Sequence, residues 1–425
     1  MRVSLFSRES ETVAMKTHIS LRILIILITT AMLLSGCGAA ASGSARAILK
    51  VWAPANQIEK GTMDKMCEIF LVQHQDWNIS FVKEIVGEDT AKDQVLKDVT
   101  EAADVFFFAN DQIEDLRQSG AIARLGGVTE EMVYATMPET VVDTVLVDGK
   151  MYGIPFTHNT FFMYYDKTLL DEDDIGSLER IMAKDTPDNV FNFMFDAAGG
   201  WKGAAFYYGA GLTIYGEDQV SYGEGCNWNN ATGVAVTEYL IDLIADKKCA
   251  HAEDVSPNEL ARDKRLGAWF DGAWNYDLYK DVLGDNLGVA PLPTFNPDGN
   301  TYQLKGFYGL KAIGINAQTR YMEQAAAFAA FLGNEEMQIL RFEESAQVPT
   351  NREAGRSEAV LSDEVAVVIM REAEIASVMQ PTNANFGANY WTNASALFTE
   401  IKNGSTNHSN VQEKLDIFCK VFIVE

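Results

Sequence analysis

Histidine, cysteine and carboxylate side chains build most hydrolytic and metal centres, and in this chain they do not assemble into one. His74, His158, His251 and His408 are scattered along the sequence. Cys67, Cys226, Cys249 and Cys419 form no CxxC pair and none stands beside a histidine at metal-ligand spacing, so neither a metal nor another cofactor is expected. Cys67 and Cys419 fall on apolar faces of expected helices, where a cysteine acts as a small core hydrophobe; a Cys226–Cys249 disulfide stays open. There is no HExxH, Walker loop, GxSxG or dinucleotide-binding glycine pattern. Asp and Glu together number 60, so carboxylate pairs arise easily by chance, and none has a local glycosidase signature. The chemistry this leaves is recognition without bond-making.

The elements that would position a recognition site are legible. Ala47 to Trp52 reads as a buried strand, followed by Met63, Met66, Cys67, Phe70, Leu71 and His74 at helical spacing. Trp77 to Val86 is a second strand, a helix is expected over 90–103 through Ala91, Val95, Val99 and Ala102, and Val105 to Phe108 is a third strand. Such alternation implies right-handed crossovers and a mainly parallel sheet, with ligands bound beyond the carboxyl ends of the strands. The loops after Trp52 and Phe108 should therefore face the ligand. An Asp148-Gly149 turn marks a hairpin leading into Gly153-Ile154-Pro155. From about residue 160 a second unit begins: an aromatic-rich stretch, a helix carrying Val234, Thr237, Ile241 and Ile244, a strand over Val289 to Pro293, a helix over Tyr321 to Gly333, and a last helix over 410–422 stacking Val411, Leu415, Phe418 and Phe422.

The 425 residues carry a net charge of -26, which repels phosphate backbones and argues against nucleic acid as a partner. Ile23 to Leu34 is an apolar run preceded by Lys16 and Arg22, too short to span a bilayer comfortably and laid out as a secretory signal. Leu34-Ser35-Gly36-Cys37 resembles a bacterial lipobox, which implies cleavage before Cys37, lipidation of its thiol and a stable two-chain membrane anchor. Residues 38–46 then form a flexible tether. Met15 is an alternative start.

Several phrases, in order, resemble the extracellular solute-binding proteins of sugar ABC importers, specifically the maltodextrin-binding group. They are Lys50-Val51-Trp52 followed by Asn56-Gln57; Ala103 to Asp111 closing at Gln118-Ser119-Gly120; Gly149 to Pro155; Met163 to Leu170; Asp271-Gly272-Ala273-Trp274; Gly288 to Thr294; and Gln380-Pro381 leading to Asn389-Tyr390-Trp391. The resemblance spans nearly the whole mature chain. It implies an α/β, two-lobed periplasmic-binding-protein-like fold of class II, each lobe a mainly parallel sheet flanked by helices. The lobes would be 47–155 with 294–353, and 160–288 with 358–425, joined by crossings near 155–159, 289–293 and 353–358. It further implies hinge closure on an oligosaccharide and delivery to ABC permease subunits by a monomer at the outer face of the cytoplasmic membrane.

A sugar presents hydroxyls in its ring plane and C–H patches on its faces, so its site needs flat aromatics and planar hydrogen-bonding groups. Carried over by position, the aromatic platforms are Phe108, Trp201, Trp274 and Trp391, with Tyr276 and Tyr390 behind them. The polar contacts are Asn56, Gln57, Asp111, Gln112 and Asn159. The family's best-known pattern has charged residues where Asn56, Gln57, Gln112 and Asn159 stand; amides keep hydroxyl recognition but leave maltose itself open. Phe108 either serves as a platform or completes the buried strand, and Asp111 either binds ligand or caps the following helix. The competing functions are the same fold holding another sugar, a polyamine, a peptide or a metal ion, an extracellular glycosidase, and a lipid-anchored adhesin or co-receptor.

Overall fold

The computed structural model describes residues 46–217, 221–382 and 384–423. The signal segment, Cys37 and the expected tether up to residue 45 lie outside the described residues. Two central sheets are built from β1 (Ala47–Ala53), β2 (Ile79–Ile85), β3 (Val105–Ala109), β4 (Ile154–Asn159), β5 (Phe161–Asp166), β6 (Phe191–Phe195), β7 (Cys249–His251), β8 (Leu266–Gly272), β9 (Leu287–Ala290), β10 (Gly306–Ile315) and β11 (Ser377–Met379). The first sheet runs β11-β10-β3-β1-β2, with β4 also paired to β10; the second runs β9-β5-β8-β6-β7.

The parallel character is real but interrupted. β1 pairs in parallel with β2 and β3, and β6 with β7 and β8, whereas β10 runs antiparallel to β3 and β4, and β5 antiparallel to β8 and β9. The antiparallel strands are those that enter or leave a lobe, where the chain reverses direction relative to its βαβ neighbours.

In β5 the apolar run is buried on both sides: Phe161, Met163 and Tyr165 face one core while Phe162 and Tyr164 face another. That two-residue alternation between two apolar layers is why the stretch reads as continuously hydrophobic. The first lobe has its own core, from Leu49, Val51, Met63 and Phe70 through Phe106, Leu310 and Phe328. The helix Thr62–Gln73 buries Met63, Met66, Cys67 and Phe70, one stripe at helical spacing.

Some boundaries differ from expectation, each for a local reason. The helix expected over 90–103 ends at Lys97, because Asp98 is extended and its carboxylate accepts from the Thr100 amide at 3.0 Å, turning the chain. In the helix Ala231–Ala245 the buried stripe runs through Val236, Thr237, Leu240 and Ile244, leaving Val234 and Ile241 partly buried at its edge. Phe422 lies beyond the last helix, Val411–Lys420, but is buried. Cys226 and Cys249 are not bridged: both are free thiols, Cys226 hydrogen-bonds to Cys419, and the Cys249 thiol is directed to the Ala250 carbonyl at 3.7 Å.

One of the lobe crossings also moves. The first runs from β4 to β5, where the Thr160 hydroxyl donates to the Phe307 carbonyl at 3.1 Å. The second is not at 289–293: Phe295, Leu304 and Phe307 belong to the second lobe's core and Leu310 to the first, so the chain crosses within β10. Near the expected third crossing, residues up to 352 are still tied to the first lobe, with Gln57 donating to Gln347 at 2.8 Å and the Arg352 amide to the Thr136 carbonyl at 2.9 Å, whereas Val360 lies in the second lobe's core.

Candidate functional site

Between the lobes lies a cleft of about 740 Å³. Its first wall is made by segments that follow parallel strands. After β1, Pro54 turns the chain into the short helix Ala55–Glu59, which sets Asn56 on the wall. After β3, Asn110–Gln112 forms a single 3₁₀ turn. The buried Asn110 carboxamide oxygen accepts from the Leu310 amide at 2.9 Å, tying this turn to β10. Gln112 donates to the carbonyls of Glu88 and Asp89, both at 2.8 Å, and accepts from the Lys92 amide at 2.9 Å. Its amide thus fixes the loop after β2, which brings Glu88, Asp89, Lys92 and Asp93 to the wall.

The opposite wall is aromatic. Trp201 and Trp274 stack with ring centroids 5.8 Å apart and planes inclined by 28°. Trp274 is 47% exposed although large and apolar. Its indole folds back over Gly272, where an added Cβ would fall 2.0 Å from the ring; glycine is required there by contact. Trp391, on the helix Ala384–Lys402, packs edge-on against Phe307 and Phe386 and presents its indole N–H to the Asp111 carboxylate.

The cleft is charged. Glu88, Asp89, Asp93, Asp111 and Asp115 line it together with Lys92 and Lys311. Lys92 pairs with Asp115 at 2.9 Å, and Lys311 lies 3.5 Å from Glu88 and 5.7 Å from the Trp274 ring centroid. Burial pushes the Asp111 carboxyl up to about 6, against its own backbone hydrogen bond and the pull of Lys92. Among the described residues, two buried acceptors on this lining have no partner, Asn56 Oδ1 and Gln380 Oε1, while Glu88 Oε1 has no hydrogen bond beyond its 3.5 Å ion pair with Lys311. Desolvated acceptors left unpaired cost roughly 1–3 kcal/mol each, a cost a hydroxyl-bearing guest removes. Flat indoles opposite amide and carboxylate acceptors can grip a polyhydroxylated ring by its faces and its edge together.

Of the residues singled out from sequence, Asn56, Asp111, Gln112, Asn159, Trp201, Trp274 and Trp391 line this cleft. Four others lie elsewhere. Gln57 is buried, donating to Gln347 at 2.8 Å and accepting from Arg341, because successive helical residues point about 100° apart and Asn56 takes the cleft side. Phe108 is fully buried beside Phe106, completing the strand. Tyr390 is buried, stacked on Phe386 and donating to the Gly200 carbonyl at 2.8 Å, while its neighbour Trp391 faces out. Tyr276 donates to Glu364 at 2.8 Å and is not part of the lining. Gln112 reaches the wall, but its amide is already spent on backbone. The sequence reading passed over Glu88, Asp89, Lys92, Asp93, Asp115, Lys311 and Gln380. The first four follow a parallel strand, β2, so the rule that singled out the loops after β1 and β3 would have found them; Gln380 stands in the phrase Gln380-Pro381 without being read as a contact, and Lys311 comes from a distant segment with no local mark.

Two α/β lobes joined by repeated chain crossings around such a cleft define the two-lobed periplasmic-binding-protein fold, a class of proteins that take up solutes by enclosing them. Residues 65–367 match the family of bacterial extracellular solute-binding proteins, and the chain belongs to that family. It is 24% identical over 318 residues to the galactooligosaccharide-binding protein of Bacillus subtilis strain 168, covering 72% of this chain and 73% of that one. A solved structure described as a complex with acarbose superposes with a TM-score of 0.82 at 36% identity, covering 89% of this chain and 99% of that one. The maltodextrin-binding protein MalE1 from L. casei BL23, solved without ligand, gives 0.80 at 27% identity, covering 90% and 100%.

Proposed function

We propose that this chain is the substrate-binding lipoprotein of an ABC importer. It captures an oligosaccharide, a maltodextrin or related glucan, between its lobes and delivers it to the permease without altering it. The observation that carries the reading is the cleft itself: a wall of indoles facing unpaired amide acceptors and a set of carboxylates. Relatives described as binding galactooligosaccharide, maltodextrin and acarbose support the same ligand class. Asn56, Asp111, Asn159, Trp201, Trp274 and Trp391 are the ligand contacts, with Glu88 and Gln380 added. Gln112 positions the loop that carries Glu88. Ligand closes the hinge formed by the crossings at β4–β5, β10 and residues 353–358, and a monomer docks on the permease. Cys37 holds the protein at the outer face of the membrane.

Calorimetry of the protein lacking residues 1–37, against glucose, maltose, longer maltodextrins and galactooligosaccharides, tests the ligand class. Saturable binding of intact oligosaccharide is expected; silence across the panel, or release of shorter sugars, overturns it. Cys37→Ala in the full chain should free the protein from membranes, and continued retention would remove the anchor.

A further inference from the structure

The far end of the second lobe holds a feature unrelated to the cleft. The segment before the helix Ala231–Ala245 is fastened to the last helix, Val411–Lys420, by contacts on both sides of a cysteine pair. Trp228 stacks on Phe418 with centroids 5.1 Å apart, and the Tyr215 and Phe422 rings meet edge-on at 5.8 Å. Asn229 Nδ2 donates to Asp416 at 2.8 Å and Gln412 Nε2 to the Asn229 carbonyl at 2.9 Å. Between these contacts Cys226 and Cys419 line one cavity of about 360 Å³, together with Gly223, Asn229 and Ile423. Both are free thiols, and a side-chain hydrogen bond joins them. The other described cysteines are placed differently: Cys67 lies in the first lobe's core, and the Cys249 thiol donates to the Ala250 carbonyl at 3.7 Å.

We propose that Cys226 and Cys419 oxidise to an intrachain disulfide that staples the C-terminal helix to the body of the second lobe. The family's extracellular setting is one in which disulfides form and persist. The cavity gives an oxidant access to the pair. Cys419 is the attacking sulfur, since the hydrogen bond from Cys226 holds its thiol below the usual range, whereas burial pushes Cys226 up. The Cys419 thiolate attacks a disulfide of the exchange partner, an extracytoplasmic thiol–disulfide oxidoreductase or, in the tube, oxidised glutathione. A mixed disulfide forms and one partner thiolate leaves. Cys226, deprotonated, then attacks the Cys419 sulfur and expels the second partner thiolate. The two protein thiols lose two electrons and two protons, and the partner disulfide gains them as two thiols.

The test is peptide mapping of the full chain exported into an oxidising compartment, alkylated under denaturing conditions and digested with trypsin. A cross-link between the peptides 203–247 and 415–420, two hydrogens lighter than their sum and lost on reduction, is expected. Reduction should also lower the melting temperature by roughly 3–8 °C. That shift should disappear in Cys419→Ser and persist in Cys67→Ser. The mapping needs no variant, so a Cys419→Ser protein that fails to fold leaves the test intact. Both peptides recovered as alkylated thiols after incubation with oxidised glutathione, each carrying glutathione without a cross-link, or either joined to Cys67 or Cys249, would overturn the proposal.

Discussion

Trp274 is held in the cleft by the absence of a side chain at Gly272, and that makes a conservative change informative. An alanine Cβ at 272 would lie within the indole ring, so Gly272→Ala should displace Trp274 from its stack on Trp201. Oligosaccharide affinity should fall by about 1 kcal/mol, the worth of an aromatic contact, with secondary structure unchanged by circular dichroism. Trp391→Ala should cost more, about 2–4 kcal/mol by calorimetry, as expected of a central aromatic anchor. Unchanged affinity in either variant removes that indole from the ligand's path. Asp111 adds a pH signature. With its carboxyl pushed up to about 6, acceptance of ligand hydroxyls should weaken as pH falls through 6 toward 5. Asp111→Asn should bind more weakly at pH 8 and lose that dependence, which titrations at both pH values would show.

Among the elements, the helix Glu364–Ile375 contains a carboxyl that is neutral at physiological pH. Glu372 is fully buried; one oxygen accepts from the Leu292 amide at 2.9 Å and the other has no hydrogen-bond partner. Burial pushes its pKa from 4.5 up to about 9, against the hydrogen bond from Leu292. A folded-state pKa above the unfolded one gives a contribution that is complete below about 4.5 and lost as pH rises toward 9. Glu372→Gln keeps the acceptor and has nothing to ionise. Its stability relative to wild type should therefore grow between pH 5 and 9, by up to about 5 kcal/mol in denaturant titrations. A pH-independent difference would mean that Glu372 is not held neutral. The elements themselves were largely legible because their cores are built on simple periodicities: two-residue alternation in β5, and the stripe of Met63, Met66 and Phe70 in one helix. Which side of a helix faces the cleft was not. Asn56 and Gln57, or Tyr390 and Trp391, differ only in which neighbour the fold supplies.

At the scale of the molecule, ties between the lobes converge around the cleft. Lys60 pairs with Asp277 at 3.0 Å, Lys311 reaches over Trp274, and Asp111 accepts from Trp391. Exposed pairs such as Lys60–Asp277 add little by themselves, so the closed arrangement should depend on what fills the cleft. An oligosaccharide at about 100 times its dissociation constant should stabilise the fold by about 2.7 kcal/mol, and Trp391→Ala should reduce the melting-temperature shift at the same concentration. Small-angle scattering should report a smaller radius of gyration with ligand; an unchanged radius would count against hinge closure.

The sequence by itself determined the strand–helix order at the start of the chain, the start of a second unit near residue 160, and the parallel-strand ends at which a site must lie, because hydrophobic periodicity and chain direction are local properties. It also marked Trp274 and Trp391, whose surroundings form recognisable phrases. Only the tertiary structure decided that Phe108 closes a core, that Gln112 is consumed by the backbone of its neighbouring loop, and that Lys311 and Gln380 join the cleft from remote parts of the chain. It also replaced Cys249 with Cys419 as the neighbour of Cys226. A residue's partners depend on which segments the crossings bring together, and no local pattern records that.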